Sequence, residues 1–403
     1  MFAARCRDGF CNWLGFSLPQ AGPLHMLGIS YSKPDITEPT AVQRKALDVL
    51  LADFHSFPWI TYRSGFEPIQ SMTTKPLRSD SGWGCAIRTA QMITAHSLMY
   101  FAYGRESRRL EDLHQDPMYV QTMSLFMDTP RAPLSIHQII AHAETHANYV
   151  SGTFMGHSVA TASVARLYAE NGLEGGFGVG ISSFAGTMCL SVIREKLESN
   201  PAGVLVYVNA HLPTGEESLI TDIMALFQMP AFRGFVGGDG LWFATYFVGA
   251  AAEGLYYLDP HVTQSAFVDP ANLAGQLSPQ PVPLKMMWAR LSTSSALAFA
   301  VRSVEELDEL VGQLGILTNN FIQVVEEVPT EVADGVTDYP DDDDEGFLGG
   351  GGVNEPSDDM GDSFLEASSL VDDAEEHNLS DSSMGGSFVY LNADADRVDE
   401  YNI

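Results

Sequence analysis

Positively charged side chains are scarce in this 403-residue sequence, which has 21 Lys and Arg residues against 52 Asp and Glu and a formal net charge of −31. Nucleic acids and anionic membrane surfaces are bound through clusters of Lys and Arg that neutralise phosphate groups. We therefore expect no nucleic-acid partner and no direct electrostatic binding to a membrane.

Cysteine is rare as well, since the chain has only Cys6, Cys11, Cys85 and Cys189, with no CxxC pair among them. So sparse a set argues against a secreted disulfide framework and favours a reducing compartment. The sequence thus predicts a cytoplasmic protein whose cysteines are free thiols.

Long hydrophobic runs are missing too, and no segment approaches the length needed to span a bilayer. The N-terminal stretch MFAARCRDGFCNWLGFSL is interrupted by Arg5, Arg7 and Asp8 and lacks a small-residue cleavage site. We therefore do not interpret it as a signal peptide.

Hydrophobic residues nevertheless make up 45% of the chain, enough for a sizeable core. The acidic charge is concentrated in residues 331–403, which hold 22 acidic residues and one basic residue, a charge of −21 that leaves −10 for residues 1–330. After about residue 327 the sequence is too polar to offset chain entropy by burial. It predicts an N-terminal extension over 1–23, a folded domain over 24–327 and an acidic, disordered tail over 328–403.

The periodicity of the folded part changes along the chain. Helical patterns dominate the first half. One predicted helix begins at Pro39-Thr40, a second begins at Cys85, and two more cover 135–147 and 158–168. Strand patterns follow over 203–210, 241–249, 254–260, 283–290 and 296–302, before a last helix over 303–315 with Ser303 as its cap. Helices followed by an antiparallel set of strands indicate an α+β fold.

Cys85 lies in SDSGWGCAIRTAQ, between a glycine-rich turn and a helical pattern. Asp80 and Ser81 are candidate N-caps, and Gly82 and Gly84 permit unusual backbone angles. At a helix start, free amides and the helix dipole stabilise a thiolate and an adjacent oxyanion. The turn alone leaves two interpretations equally open, a buried structural cysteine and a nucleophile. The predicted apolar face of the helix comprises Ile87, Ala90, Ile93, Leu98 and Phe101.

A thiol peptidase also needs an imidazole base and a group that orients it. In YYLDPHVTQ, Asp259 and His261 are two residues apart, so that both would lie on one face of a strand. Pro260 between them indicates a strand end or edge. Without further context, an ordinary Asp-Pro turn with a surface histidine is the favoured alternative.

His142 and His146 in HAETH are four residues apart on a predicted helix and are the strongest candidates for a metal site. The base of a zincin helix follows its first histidine directly, whereas Glu144 comes two residues after His142 and lies on another face. We therefore expect solvated helix histidines and no metal site.

Several sequence blocks, taken together, resemble the autophagy-related protein 4 cysteine peptidases (autophagins) over roughly residues 24–310. The blocks SDSGWGC and LDPHVTQ carry most of this resemblance. The full set is LHMLGISYS (24–32), WITYRSGFEPI (59–69), SDSGWGCAIRTAQM (79–92), SIHQI (135–139), GFVGG (234–238), YFVG (246–249) and LYYLDPHVTQ (255–264).

The resemblance implies a papain-like α+β fold with a small additional subdomain, in which the nucleophile helix precedes a mainly antiparallel sheet. It implies Cys85 as nucleophile, His261 as general base and Asp259 as the residue that orients it. It also implies that Tyr62 and the Cys85 backbone amide stabilise the oxyanion. A phenol suits this role because it can donate a hydrogen bond.

The activity implied is cleavage of ubiquitin-like modifiers of the autophagy-related protein 8 type after their C-terminal glycine, in the precursor and in the conjugate with phosphatidylethanolamine. No cofactor is implied, the expected state is a monomer, and membrane contact would arise only through the substrate. Trp83, Phe154, Gly237 and Gly238 correspond to the substrate groove and its gating elements, with Phe154 where the family often has tryptophan. A catalytically idle adaptor that binds the modifier is the alternative.

The acidic tail contains FVYL, in which Phe388 and Leu391 have the aromatic-x-x-aliphatic spacing of peptides that bind such modifiers. An extended segment of this kind can add to a sheet edge while its two apolar side chains enter separate pockets. Chance occurrence of so short a pattern is the alternative.

Overall fold

The computed structural model describes most of the region before residue 328, and in the tail the backbone of two strands. The described residues are 18–19, 22–33, 38–71, 75–104, 113–171, 179–183, 186–238, 243–272, 276–277 and 279–327, with the strands 387–391 and 398–402. Most of the predicted extension over 1–23 and most of the predicted disordered tail therefore lie outside the described residues.

Eight α-helices have bounds within the described ranges. They are α1 (Thr40–Phe54), α2 (Cys85–Tyr103), α3 (Pro117–Ser124), α4 (Ile136–His146), α5 (His157–Glu170), α6 (Leu190–Ser199), α7 (Glu217–Leu226) and α8 (Val304–Leu314). Short 3₁₀ helices cover Leu113–Gln115, Pro270–Asn272 and Trp288–Arg290.

The strands form one large sheet and several small ones. In chain order they are β1 (Leu24–Met26), β2 (Ile29–Tyr31), β3 (Arg63–Ile69), β4 (Leu77–Ser79), β5 (Val179–Ser183), β6 (Thr187–Cys189), β7 (Val204–His211), β8 (Phe232–Gly237), β9 (Thr245–Ala251), β10 (Gly254–Leu258), β11 (Gln264–Ser265), β12 (Leu284–Met286), β13 (Ser294–Val301), β14 (Gln323–Val325), β15 (Ser387–Leu391) and β16 (Val398–Asn402).

The helices predicted from periodicity are present as α1, α2, α4, α5 and α8. Ser135 caps α4 by accepting a hydrogen bond from the Gln138 amide at 3.2 Å, and Ser303 caps α8 in the same way through the Glu306 amide at 3.3 Å. The sequence interpretation missed α3, although Asp116 followed by Pro117 is a helix-start signal. Asp116 indeed accepts hydrogen bonds from the first amides of α3.

The large sheet has the strand order β12-β10-β9-β8-β13-β7-β5, with β1 and β2 attached beside β9. Its described pairings are antiparallel except that of β5 with β7, which confirms the α+β prediction. The predicted strand over 283–290 was wrong in its second half, where the chain turns into a 3₁₀ helix. Strands β9 and β13 are buried almost throughout, so both sheet faces are covered.

Helix α2 crosses the core, and every residue from Cys85 to Phe101 is buried. The prediction of a single apolar face was therefore wrong, because a helix covered on all sides needs apolar or internally satisfied residues all round. Two of its hydroxyl side chains are satisfied within the helix. The Thr94 hydroxyl donates to the Ala90 carbonyl at 2.6 Å, and the Ser97 hydroxyl donates to the Ile93 carbonyl at 2.7 Å.

Residues 342–403 form a unit separate from the body of the chain. In it, β15 and β16 pair as an antiparallel hairpin in which Phe388 is opposite Tyr401 and Leu391 is opposite Val398. The backbone of the FVYL segment is thus extended, while the side chains of Phe388 and Leu391 lie outside the described residues. The binding role of this segment stays a prediction.

Candidate active site

The turn before α2 places Cys85 at the first position of the helix, as predicted. The prediction that Asp80 or Ser81 caps this helix was wrong, because Gly84 is the N-cap and no side chain bonds to the first amides. The Asp80 carbonyl instead accepts from the amides of Trp83 at 3.2 Å and Gly84 at 2.9 Å. This closes the turn and directs the helix axis away from it.

Gly84 is required by close packing. A Cβ at this position would lie 2.6 Å from both the Cβ and Oδ2 of Asp80, a distance that real side chains do not reach. Cys85 itself is buried, with 1% exposure, and is a free cysteine. The thiol therefore occupies a constrained, largely dry position at the helix start.

Asp259 and His261 are side by side, as the sequence predicted, but for a different reason. Strand β10 ends at Leu258, so the pair lies in the turn after the strand rather than on one strand face. Oδ1 of Asp259 accepts from the backbone amide of His261 at 3.0 Å and from its Nδ1 at 2.5 Å. Because an ionised carboxylate can only accept, Nδ1 carries the proton and Nε2 is left for chemistry.

The backbone around Asp259 is fixed by two residues that the sequence interpretation missed. Its amide donates to Oε1 of Gln280 at 2.7 Å, and its carbonyl accepts from Nε1 of Trp59 at 2.6 Å. Gln280 in turn donates to the carbonyls of Tyr257 at 3.1 Å and Val282 at 2.8 Å. Neither residue has a local sequence signal, since both act through contacts distant along the chain.

Tyr62 is held against the histidine turn by backbone hydrogen bonds on both sides. Its amide donates to the Pro260 carbonyl at 2.8 Å, and its carbonyl accepts from the Gln264 amide at 2.9 Å. The rings of Tyr62 and His261 meet edge to face, with centroids 5.4 Å apart. Burial raises the pKa of the Tyr62 phenol, and the charge of Cys85 and a hydrogen bond to it act in the same direction. The phenol therefore stays protonated and can donate.

His261 carries a raised pKa. Burial alone would lower it, but the hydrogen bonds to Asp259 and Cys85, and the negative charges of both groups, outweigh burial and raise the pKa from 6.5 to about 9. Nε2 is buried and lacks a hydrogen bond of ordinary geometry to any described residue. Cys85 is thus a neighbour of His261 that, together with Asp259, raises the pKa of the histidine.

Phe243 contacts the other side of the histidine and was also missed. Its ring meets that of His261 edge to face at 4.9 Å between centroids, while 48% of the Phe243 side chain stays exposed. An open pocket of about 170 Å³ adjoins this contact. Six residues line it: Phe243, Thr245, Tyr257, Asp259, His261 and Met286.

The predicted gating residues come from separate segments of the chain. Trp83 lies in the nucleophile turn, where its Nε1 donates to the Ser79 carbonyl at 3.2 Å. Phe154 is half-buried, packs against the core and follows a loop in which the Tyr149 hydroxyl donates to the Thr153 carbonyl at 2.6 Å. Burial is the largest cause of the raised pKa of Tyr149 in this loop, and the charges of Glu144 and, to the smallest extent, Cys85 raise it further.

Gly237 and Gly238 end β8 on the Phe243 side. A Cβ on Gly238 would lie 2.7 Å from the Phe243 carbonyl oxygen, so only glycine fits beneath that residue. Residues 239–242, which follow these glycines, lie outside the described part of the chain.

His142 and His146, the candidate metal ligands, both lie in α4. Within the described ranges, no group of three His, Cys, Asp or Glu side chains is arranged to hold an ion. His142 and His146 stack on one another with ring centroids 4.3 Å apart. The prediction of two solvated histidines was wrong for His142, which is buried with 7% exposure.

No helix in the described segments is long and apolar enough to cross a bilayer.

An α+β fold with a cysteine at the start of a buried helix, beside a histidine hydrogen-bonded to aspartate, has the architecture of the papain-like cysteine peptidases. The chain belongs to the peptidase C54 family, whose catalytic-domain model matches residues 47–313.

Relatives from fungi and plants agree with this assignment. The chain is 31% identical over 241 residues to the probable cysteine protease ATG4 of Phaeosphaeria nodorum, covering 53% of this chain and 50% of that protein. It is 28% identical over 308 residues to the cysteine protease atg4 of Emericella nidulans, covering 65% and 75% of the two chains. It is 29% identical over 264 residues to the cysteine protease ATG4b of Arabidopsis thaliana, covering 59% and 54%. The matched region thus spans about half the length of two of these relatives.

Proposed function

We propose that this protein is a cysteine peptidase that cuts ubiquitin-like modifiers of the autophagy-related protein 8 type after their C-terminal glycine, in the precursor and in the conjugate with phosphatidylethanolamine. The observation that carries the proposal is the position of Cys85 at the start of α2, next to a histidine oriented by Asp259. The relatives named as ATG4 cysteine proteases support the substrate class.

In the first half of the reaction, Nε2 of His261 holds the proton of the Cys85 thiol, and the thiolate attacks the glycine carbonyl carbon. The oxyanion formed accepts hydrogen bonds from the Tyr62 hydroxyl and the Cys85 amide. When the carbon–nitrogen bond breaks, His261 transfers its proton to the leaving amine and a thioester remains.

In the second half, a water molecule gives a proton to His261 and attacks the thioester carbonyl carbon. The carbon–sulfur bond breaks, the glycine carboxylate leaves and the Cys85 sulfur is restored. Asp259 keeps the imidazole in one tautomer and stabilises the imidazolium in both halves. The chemistry requires a reduced thiol, which suits the proposed cytoplasmic location.

Specificity for glycine would come from a narrow approach to Cys85, bordered by Trp83 and Phe154 on one side and by Gly237 and Gly238 on the other. A passage that fits glycine rejects residues carrying a Cβ by steric conflict. Because the buried thiol has only 1% exposure, the substrate must enter as a thin extended segment.

The test is incubation of the purified protein with a modifier precursor that carries a short extension after its glycine, read by intact mass. The wild type should release the extension, and Cys85→Ala should not while still binding the precursor. Cys189→Ala is the matched control, since Cys189 is the other free cysteine among the described residues, and it should cleave normally. Binding without cleavage by the wild type would favour the adaptor alternative.

Deconjugation is tested separately with the modifier attached to phosphatidylethanolamine in vesicles. The wild type should release modifier that ends in a free glycine carboxylate. Cleavage of the precursor but not of the conjugate would contradict the proposed deconjugation and leave the proposed precursor processing standing.

A further inference from the structure

Four charged side chains lie buried beneath the nucleophile turn. Asp80 and Arg88 are fully buried, and Arg63 and Asp128 are each 1% exposed. Removing ions from water is costly, and apolar residues of similar volume often stabilise a fold equally well. Nε and Nη2 of Arg63 and Nη2 of Arg88 also lack hydrogen-bond partners among the described residues. Stability alone therefore explains this cluster poorly.

Arg88 is the centre of the cluster and lies one turn after Cys85 on α2. Its Nε donates to Oδ2 of Asp80 at 2.6 Å, and its Nη1 donates to Oδ1 of Asp128 at 2.7 Å. A second bond from Nη1 reaches Oε1 of Gln91 at 3.0 Å. The planar guanidinium thus fixes two carboxylates in directions that a lysine ammonium cannot match.

Asp80 connects this centre to the nucleophile turn and to the oxyanion donor. Its carbonyl closes the turn that ends at Gly84, immediately before Cys85. Its Oδ1 accepts from the Arg63 amide at 2.6 Å, directly after Tyr62 in the chain. A shift of the Asp80 carboxylate would therefore move both the sulfur and the phenol.

Asp128 connects the same centre to the segment that follows the histidine. It exchanges two hydrogen bonds with Phe267, its amide donating to the Phe267 carbonyl at 2.6 Å and its Oδ2 accepting from the Phe267 amide at 2.7 Å. Nη1 of Arg63 donates to the carbonyl of Ser265 at 2.9 Å. Because β11 begins three residues after His261, these bonds fix the end of the histidine turn.

We propose that Arg88, through its bonds to Asp80 and Asp128, is a positioning residue that sets the distances among Cys85, Tyr62 and His261. The network joins the three chain segments that carry the nucleophile, the oxyanion donor and the base. Arg88 itself contacts no substrate. The inference deepens the proposed peptidase activity and rests on it.

The experiment compares Arg88→Lys with the wild type in cleavage of the modifier precursor and in alkylation of Cys85 by iodoacetamide across a pH series. Arg88→Lys keeps the positive charge but loses the planar guanidinium that bonds two carboxylates at once. Since small misplacement of reacting groups costs up to about 10²-fold, kcat should fall about 10- to 100-fold with KM within about twofold. The pH at which alkylation of Cys85 accelerates should rise, because the thiolate loses its imidazolium neighbour.

Arg233→Lys is the matched control. Arg233 is also a buried arginine, 1% exposed, and its guanidinium lies 4.1 Å from the ring centroid of Tyr100. Tyr100 is 15 residues after Cys85 on α2, which corresponds to about 22 Å along the helix. Arg233→Lys should therefore lower Tm while leaving kcat and the alkylation profile of the folded protein unchanged.

Asp128→Asn provides a second variant of nearly equal volume and should reproduce the kcat loss. Folded variants with wild-type kcat and alkylation profile would overturn the inference, as would loss of folding in both Arg88→Lys and Asp128→Asn, which would assign the cluster to folding. If the wild type cuts no modifier, the proposed function fails. The alkylation profiles of wild type and variants still decide whether Arg88 positions Cys85 and His261.

Discussion

The two halves of the site are held by different kinds of interaction. On the nucleophile side, the turn before Cys85 is fixed by buried charges, with Asp80 bonded to Arg88 at 2.6 Å. On the base side, the backbone of Asp259 at the start of the turn after β10 is fixed by neutral groups, the amide of Gln280 and the indole of Trp59. The two sides also differ in exposure, since Asp80 and Arg88 have no exposed surface whereas the side chains of Asp259 and His261 are 16% and 20% exposed.

This contrast predicts how each side of the site responds to mutation. Buried ion pairs tolerate no partial loss, since removing one partner leaves an uncompensated charge. Loss of a neutral hydrogen bond costs less, about 1 to 3 kcal/mol, and leaves no uncompensated charge. We therefore expect the nucleophile side to fail abruptly when its supports are changed and the base side to fail gradually, unless the reacting groups themselves are altered.

The largest effect is expected from Asp259→Asn. The amide side chain keeps the shape but can donate to Nδ1 of His261, which selects the wrong tautomer and removes the charge that stabilises the imidazolium. Loss of an orienting carboxylate of this kind costs about 10³- to 10⁴-fold in kcat. Steady-state kinetics on the precursor measure this loss, and binding of the precursor to the variant should be close to that of the wild type. A rise in KM with unchanged kcat would make Asp259 a substrate contact instead.

The next largest effect is expected from replacing a glycine in the turn before Cys85. Two glycines of this turn, Gly84 and Gly82, are compared. Gly84→Ala places a Cβ 2.6 Å from Asp80, so that the turn must move and carry Cys85 with it. Gly82→Ala meets no atom within 4 Å, although its φ of +85° is strained for alanine. We expect Gly84→Ala to lower kcat about 10²-fold, and Gly82→Ala to cost about 1 kcal/mol of stability with nearly normal kcat. Equal effects of the two variants would contradict the rigid turn.

The raised pKa of His261 gives a prediction for pH dependence. The imidazolium needed to protonate the leaving amine persists until the pH passes about 9, so kcat/KM should fall on an alkaline limb near that value. The stability of the folded protein should change with pH in the same direction. A histidine whose pKa is raised in the folded state contributes stability that is fully present below pH 6.5 and is lost as the pH rises through about 9. In Asp259→Asn, the alkaline limb should move to lower pH. A wild-type limb near 6.5 would show that the histidine is not paired in the active enzyme.

The sequence predicted the site better than its supports. Cys85, Asp259 and His261 were candidates because a helix start and an Asp-Pro-His segment leave local signals, and the family resemblance decided between the catalytic and the structural interpretation. Gln280, Phe243 and Asp128 leave none, since each acts through folding contacts with residues far along the chain. The central position of α2 was missed for a related reason. Its polar residues are satisfied within the core, so that the pattern of Ile87 and Ala90 gave a misleading single face.

The smallest effect is expected on the neutral base side, from Gln280→Leu. Leucine has a similar size but loses three hydrogen bonds, those with the Asp259 amide and with the carbonyls of Tyr257 and Val282. Three neutral bonds of about 1 kcal/mol each lower stability measurably, but the Asp259 carboxylate keeps its own bonds to His261. We expect a lower Tm and at most about a tenfold loss of kcat, because Asp259 and His261 keep their mutual hydrogen bonds. Gln228→Leu, at an exposed glutamine after α7 that bonds only to the Met224 carbonyl, is the matched control and should change neither quantity. A loss larger than that of Arg88→Lys would reverse the contrast between the two sides, making the turn after β10 the more rigid support.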